Sequence, residues 1–172
     1  RTEGLSSLML VDSHCHLDPG NLKGQEPDAV LERARAAGVT GFIAIGVGGD
    51  PAAARHAVSL AERRADVVAI VGLHPHAASA FTPDLWDELT RLSRHLKMVA
   101  VGEIGLDYHY DFSPREAQRE VFRRSIALAH ELGKPIAIHT REAADDTLAI
   151  LQEERARDVG GVFHCFSEDV AF

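Results

Sequence analysis

The chain has 172 residues, with 18 Lys and Arg against 26 Asp and Glu, a net charge of −8 with neutral histidines. At 45% hydrophobic and 26% charged residues, it has the size and composition of one packed globular domain, which excludes a disordered, collagen-like or low-complexity chain. The acidic balance excludes a broad basic surface for nucleic acid, so a phosphate-bearing substrate requires a local cationic element such as a metal. Cys15 and Cys165 show neither CxxC spacing nor the density of a disulfide scaffold, which predicts a reducing, cytoplasmic setting. No apolar run approaches the roughly 18–20 residues of a membrane span, and no membrane partner is expected. Arg1 to Leu8 lack the pattern of a signal peptide; they are expected to be an N-terminal extension, leaving residues 9–172 as a single domain.

In chain order, strands rich in Val and Ile are predicted at Leu8 to Val11, Gly41 to Val47, Val67 to Leu73, Met98 to Ile104, Pro135 to Ile138 and Gly161 to Phe163. Their continuous apolar character suits strands buried on both faces. Helical patterns separate them at Asp28 to Ala37, Pro51 to Arg64, Asp84 to His95, Pro114 to Leu132 and Ala143 to Arg155. Asp50 is positioned to cap the second of these helices, and Ser113 with Glu116 has the spacing of a capping box around Pro114. Gly38 and Gly133 suit helix ends. The β-α alternation implies a parallel sheet with helices outside it. Strand ends at His16, Val47, His74, Glu103, His139 and His164 lie 25 to 36 residues apart, and a repeat of about 30 residues is one unit of an eight-stranded α/β barrel. The expected fold is therefore an α/β, TIM-type (β/α)8 barrel of which about six βα units are present. An open doubly wound sheet shares the alternation but needs a glycine-rich first turn, which does not follow the first strand.

Polar residues gather at the predicted strand ends, where barrels place their active sites. In Asp12-Ser13-His14-Cys15-His16, residues two apart in an extended chain share a face, so Asp12, His14 and His16 are expected to point inward and Cys15 outward. An HxH pair at a strand end is a bidentate grip on a transition metal. Glu103 ends an apolar strand, where a carboxylate is costly unless paired or metal-bound, and its two oxygens can bridge two cations. His139 and His164 each end a later strand. Together these five residues fall at one end of one barrel. His74, in Leu73-His74-Pro75-His76, is placed to donate to a substrate phosphate or hydroxyl, and Arg141 to form a phosphate-binding fork; Asp107 follows just after Glu103. Both cysteines are expected to be packing residues, and His56, His95 and His130 to lie at helix surfaces.

The motifs Val11-Asp12-Ser13-His14-Cys15-His16-Leu17-Asp18, Gly72-Leu73-His74-Pro75-His76, Gly102-Glu103-Ile104-Gly105-Leu106-Asp107-Tyr108, Ile138-His139-Thr140-Arg141 and His164-Cys165-Phe166-Ser167 resemble, in order, those of the TatD-type metal-dependent deoxyribonucleases of the amidohydrolase superfamily. The resemblance implies an α/β barrel that hydrolyses phosphodiester bonds of DNA, often as a 3′ to 5′ exonuclease on single strands. It implies two divalent metal ions, one held by His14 and His16, the other by His139 and His164, with Glu103 bridging and catalytic, and His74, Asp107 and Arg141 around the substrate. The family's later aspartate, in a Thr-Asp-x-Pro-like motif, has no counterpart up to Phe172, and Glu168 stands where the family usually has glycine. The imidazole and carboxylate donors suit Zn, Mn, Fe, Co or Ni better than an all-oxygen Mg site, although Mg can support turnover in a nuclease, which leaves the metal's identity open.

Two other readings follow from the same residues. An amide or ester hydrolase of that superfamily would use a carboxylated lysine where Glu103 stands. A catalytically inactive barrel fragment would expose the edges of its first and sixth strands, which predicts self-association.

Overall fold

The computed structural model describes residues 9–166. Its strands are β1 (Leu10–Cys15), β2 (Val39–Val47), β3 (Val67–Gly72), β4 (Met98–Asp107), β5 (Ile136–Arg141) and β6 (Gly161–Phe163). They form one parallel sheet in sequence order. The helices are α1 (Pro19–Leu22), α2 (Pro27–Ala36), α3 (Ala52–Arg63), α4 (Pro83–Ser93), α5 (Arg115–Leu132) and α6 (Ala144–Glu153), with 3₁₀ turns at Pro75–Ala80 and Ala156–Asp158. A doubly wound sheet reverses its strand order at a switch point; this sheet never reverses, and its six βα units are those of a partial TIM-type barrel. The extension 1–8 and the segment carrying Ser167 and Glu168 lie outside the described residues.

The sheet sorts its side chains by alternation. Phe42, Ala44, Ala69, Val71, Val101, Ile136 and Ile138 face the helices, while Ile43, Ile45, Ile70, Ala100 and Ala137 form a second layer on the other face. With a period of two, the inner layer leads along β3 to His74 and along β5 to His139. Three strands run further than the apolar pattern indicates. β1 continues through Asp12 to Cys15, β4 to Asp107 and β5 to Arg141, because the residues closing each strand are polar groups serving the barrel mouth.

Two local expectations are corrected. Pro114 begins α5 with no side-chain cap. Ser113 is buried instead, its hydroxyl accepting from Ser79 N at 3.0 Å and donating to His76 O at 2.8 Å. It ties the start of α5 to the 3₁₀ turn, and Glu116 pairs with Arg119. Asp50 does satisfy the start of α3, its Oδ1 accepting from Ala52 N at 2.7 Å, and Gly133 closes α5 in the left-handed region at φ 60°. Among the histidines expected at helix surfaces, His56 is half-buried.

Gly105 brings β4 against the β5 backbone with no room for a side chain. It has φ 139°, and a Cβ there would sit 1.9 Å from His139 O, so only glycine permits the contact. Gly105→Ala is expected to cost about 3 kcal/mol or more, from backbone strain plus overpacking. Gly133→Ala, where a Cβ would meet nothing within 4 Å, is expected to cost about 1–2 kcal/mol. Urea denaturation of the two variants checks the difference.

Candidate metal centre

Two irregularities in the sheet aim the central groups. Along β1 the partners step from Asp12↔Phe42 to Cys15↔Ala44, three residues against two. Along β4 they step from Gly102↔Ala137 to Ile104↔Ile138, two against one. Each is a β-bulge, which adds a residue and re-aims a side chain. Val101 and Ile104 both face the helices, so the extra residue in β4 leaves Glu103 free to turn to the barrel mouth. In β1 the bulge turns His14 to the same point, breaking the simple Asp12, His14, His16 alternation. Asp12 is exposed, with its Oδ1 accepting from His14 N, and His16 lies beyond the strand. Cys15 turns away as expected, its thiol donating to Ile43 O at 3.2 Å and pushed up to about 12 by burial. Cys165 is exposed, which overturns its reading as a packing residue; β6 has already ended at Phe163.

Glu103 is only 3% exposed. Its Oε2 lies 3.1 Å from His14 Nε2 and 3.9 Å from His16 Nε2; its Oε1 lies 3.0 Å from His139 Nδ1 and 3.8 Å from His74 Nε2. His164 stacks on His14, ring centroids 3.4 Å apart and planes at 9°. Candidate ligand sets are His14, Glu103 and His164; His74, Glu103 and His139; and His76, Asp107 and His139. The structure thus gathers His14, His139 and His164 around Glu103, with His16 at the rim. His14 Nε2 is buried and makes no hydrogen bond despite its nearness to the carboxylate. A buried ring nitrogen with no hydrogen bond, facing a buried carboxylate, is an arrangement that a cation between them satisfies, so the residues fit a divalent metal.

The protonation pattern agrees. Burial raises the Glu103 carboxyl, but its hydrogen bond to His139 and the nearness of the His14 and His74 imidazoles outweigh it and hold the group well below the ordinary carboxylate range. His16 and His164 are lowered, first by burial and then by His14. His74 is lowered to about 3, chiefly by burial. Burial lowers His139 too, but its bonds to Glu103 and Asp107 prevail and the net direction is up. At neutral pH His16, His74 and His164 are therefore unprotonated, as ligands or neutral donors must be.

His74 Nδ1 accepts from His76 N at 3.2 Å. This fixes the proton of the neutral ring on Nε2, making it a donor towards the cleft and removing its lone pair from metal ligation. Asp107 is fully buried. Its Oδ2 meets His76 Nε2 at 2.8 Å and His139 Nε2 at 2.9 Å, while its Oδ1 accepts from His109 N and Tyr110 N. Arg141 is exposed at the end of β5, its guanidinium 4.9 Å from the centre of the Tyr110 ring, and among the described residues it makes no ion pair. His76, to which the sequence analysis assigns no role, joins the cluster through Asp107; its signal is the same two-residue spacing from His74 that joins His14 and His16, masked by the turn that begins at Pro75. The mouth opens into a cleft of about 490 Å³ lined by His16, His74, His76, Glu103, His139 and His164 among others.

Fold and site together define an α/β barrel with a candidate metal centre at the carboxyl ends of its strands. The family model described as TatD related DNase matches residues 11–172, and the chain belongs to that family. It is 42% identical to the uncharacterized metal-dependent hydrolase YabD of Bacillus subtilis, over 92% of this chain and 61% of the relative. It is 35% identical to the 3′-5′ ssDNA/RNA exonuclease TatD of Klebsiella pneumoniae, over 83% and 54%. The structure of the TatD homologue YjjV of Escherichia coli superposes with a TM-score of 0.82 at 30% identity, covering 94% of this chain and 62% of that one. The chain thus spans about 60% of the length of YabD and YjjV.

The Glu103–His139 pair yields a pH prediction for the metal-free protein. The lowered Glu103 contributes stability above its ordinary value of 4.5 and loses it as pH falls. The raised His139 contributes below its ordinary value of 6.5 and loses it as pH climbs through the raised value. The stability gap between wild type and Glu103→Gln in EDTA is therefore expected to be widest between 4.5 and 6.5 and to narrow on both sides. Urea denaturation from pH 4 to 8.5 measures it.

Proposed function

We propose that the protein is a metal-dependent phosphodiester hydrolase that shortens single-stranded DNA from its 3′ end. The observation that carries this is the buried Glu103 carboxylate, its two oxygens facing different histidines at the barrel mouth. Two divalent ions, Zn, Mn or Mg, would be held by His14, His16, His139 and His164 with Glu103 between them. Bound there, they would make a water acidic enough to attack at neutral pH and offset charge developing on the phosphate. The chain's own groups complete the site. Glu103 keeps both halves in register; His74, neutral with its proton on Nε2, donates to a non-bridging phosphate oxygen; Arg141, without a carboxylate partner among the described residues, offers a planar fork to the next phosphate. Asp107 is a positioning residue, orienting His139 through Oδ2 as a carboxylate behind a ligating imidazole does.

The name of the Klebsiella relative supports the substrate class. No helix among the described residues is long and apolar enough to cross a membrane, consistent with work on cytoplasmic DNA ends. The amide or ester hydrolase reading finds less support: Lys134 donates to Ser93 O at 2.7 Å, tied down before β5 at the end opposite the mouth, and Lys97 precedes β4. The inactive-fragment reading is the alternative outcome of the assay.

The test is an end-labelled single-stranded oligonucleotide incubated with Mn. Wild type is expected to shorten it stepwise, and Glu103→Gln to be slower on the order of a thousandfold, the scale of deleting a principal electrostatic group, with its fold retained by circular dichroism. Metal-dependent cleavage at undiminished rate by the variant, or none by folded wild type, overturns the proposal. Among the described residues β1 and β6 each pair on one side, and Leu10, Val11 and Val162 are exposed; this chain alone is expected to self-associate through those edges. Sedimentation showing a monomer at all concentrations would refute that.

A further inference from the structure

One surface feature beside the metal cluster has no part in the chemistry above. Tyr110 and Phe112 are 47% and 65% exposed, yet their rings stack, centroids 5.2 Å apart and planes at 12°. Exposed aromatic pairs of this kind are otherwise buried in a core or an interface. The shelf is continuous with the cluster: His76 stands edge-on to both rings, 5.5 Å from Tyr110 and 4.9 Å from Phe112, while its Nε2 meets Asp107. The guanidinium of Arg141 lies against Tyr110.

The turn that presents the rings is held firmly. Asp107 Oδ1 accepts from His109 N at 3.1 Å and Tyr110 N at 2.9 Å. Asp111, at φ 50°, is bound through both oxygens by Arg115, whose guanidinium lies 4.2 Å from the Tyr108 ring centre. A rigid aromatic surface next to a guanidinium with no ion pair among the described residues, one imidazole away from the candidate metal centre, has the combination that binds single-stranded nucleic acid: a stacking face for a base and a cation for the adjoining phosphate.

We infer that the Tyr110–Phe112 pair is a base-stacking shelf, taking the nucleobase adjacent to the phosphate at the metal centre. This rests on the nuclease reading for its substrate class. It selects single strands because a base reaches the shelf only when unstacked from its neighbours, and it tolerates any base because each offers a π-face.

The test separates binding from turnover. A phosphorothioate single strand carrying 2-aminopurine at successive 3′ positions is titrated with the full chain in Mn buffer, beside an otherwise identical strand abasic at those positions. Wild type and Tyr110→Trp are expected to quench one position's fluorescence and to bind the base-bearing strand about tenfold or more tighter than Tyr110→Leu/Phe112→Leu, the scale of one stacked base. All three should bind the abasic strand alike and melt at the same temperature. Equal affinity of the double variant for the base-bearing strand, absence of quenching by wild type, or a large loss of thermal stability in the double variant, which would mark the pair as a packing seam for another protein segment, overturns the shelf. Cleavage without dependence on the pair would sink the shelf alone; quenching without cleavage of an ordinary strand would sink the nuclease reading alone.

Discussion

A carboxylate taken out of water must be met by hydrogen bonds or cations, and the barrel mouth is arranged around that requirement at Glu103. Left alone, burial would force the group to take up a proton. It remains ionised because histidines from β1 and β5 reach it from two sides. The imidazoles in turn are brought in by strands whose inner faces carry small or aliphatic residues, so the polar cluster sits directly above an apolar layer of Ile45, Ile70, Ala100 and Ala137. Ile70, Ala100 and Ala137 line, with His14 and His164, a cavity of about 530 Å³, and these apolar walls lower the local dielectric and strengthen each charge-assisted contact.

The bulges show how local irregularity serves this end. A regular β4 would alternate strictly from Val101, sending position 103 to the helix side with the aliphatic residues. One extra residue lets Ile104 and Leu106 stay in the helix-facing core while Glu103 turns the other way. Gly105 then lets β4 close back onto β5 at His139. At these two places backbone departure and ligand placement are the same event; the shifts at Leu10/Val11 and Ala69/Ile70 serve the sheet alone.

Much of this was legible in the residues. The 25-to-36-residue spacing of polar strand ends gave the barrel, and strict alternation carries Ala137 to His139 without further information. Alternation failed on β1 and β4 because a period of two has no means of announcing an extra residue. The strands also looked shorter than they are, since their last residues are chosen for chemistry and lack β propensity. Ser113 had every local mark of a helix cap, but tertiary partners at Ser79 and His76 outbid it. The double duty of Asp107 and the pairing of Tyr110 with Phe112 depend on how a turn folds over the cluster, and no spacing rule encodes that.

The sequential order of the sheet also shapes how the molecule can form. Every strand pairs with its neighbour in the chain, so the fold can grow one βα unit at a time, each pairing closing one crossover and no longer loop. The two closest contacts of Glu103 then differ in kind. The one to His139 joins adjacent strands and becomes available as soon as β4 and β5 pair. The one to His14 crosses from β4 to β1 and requires the sheet to have curled. The cluster is thus completed only by curvature, and its completion reports that the barrel has bent into shape.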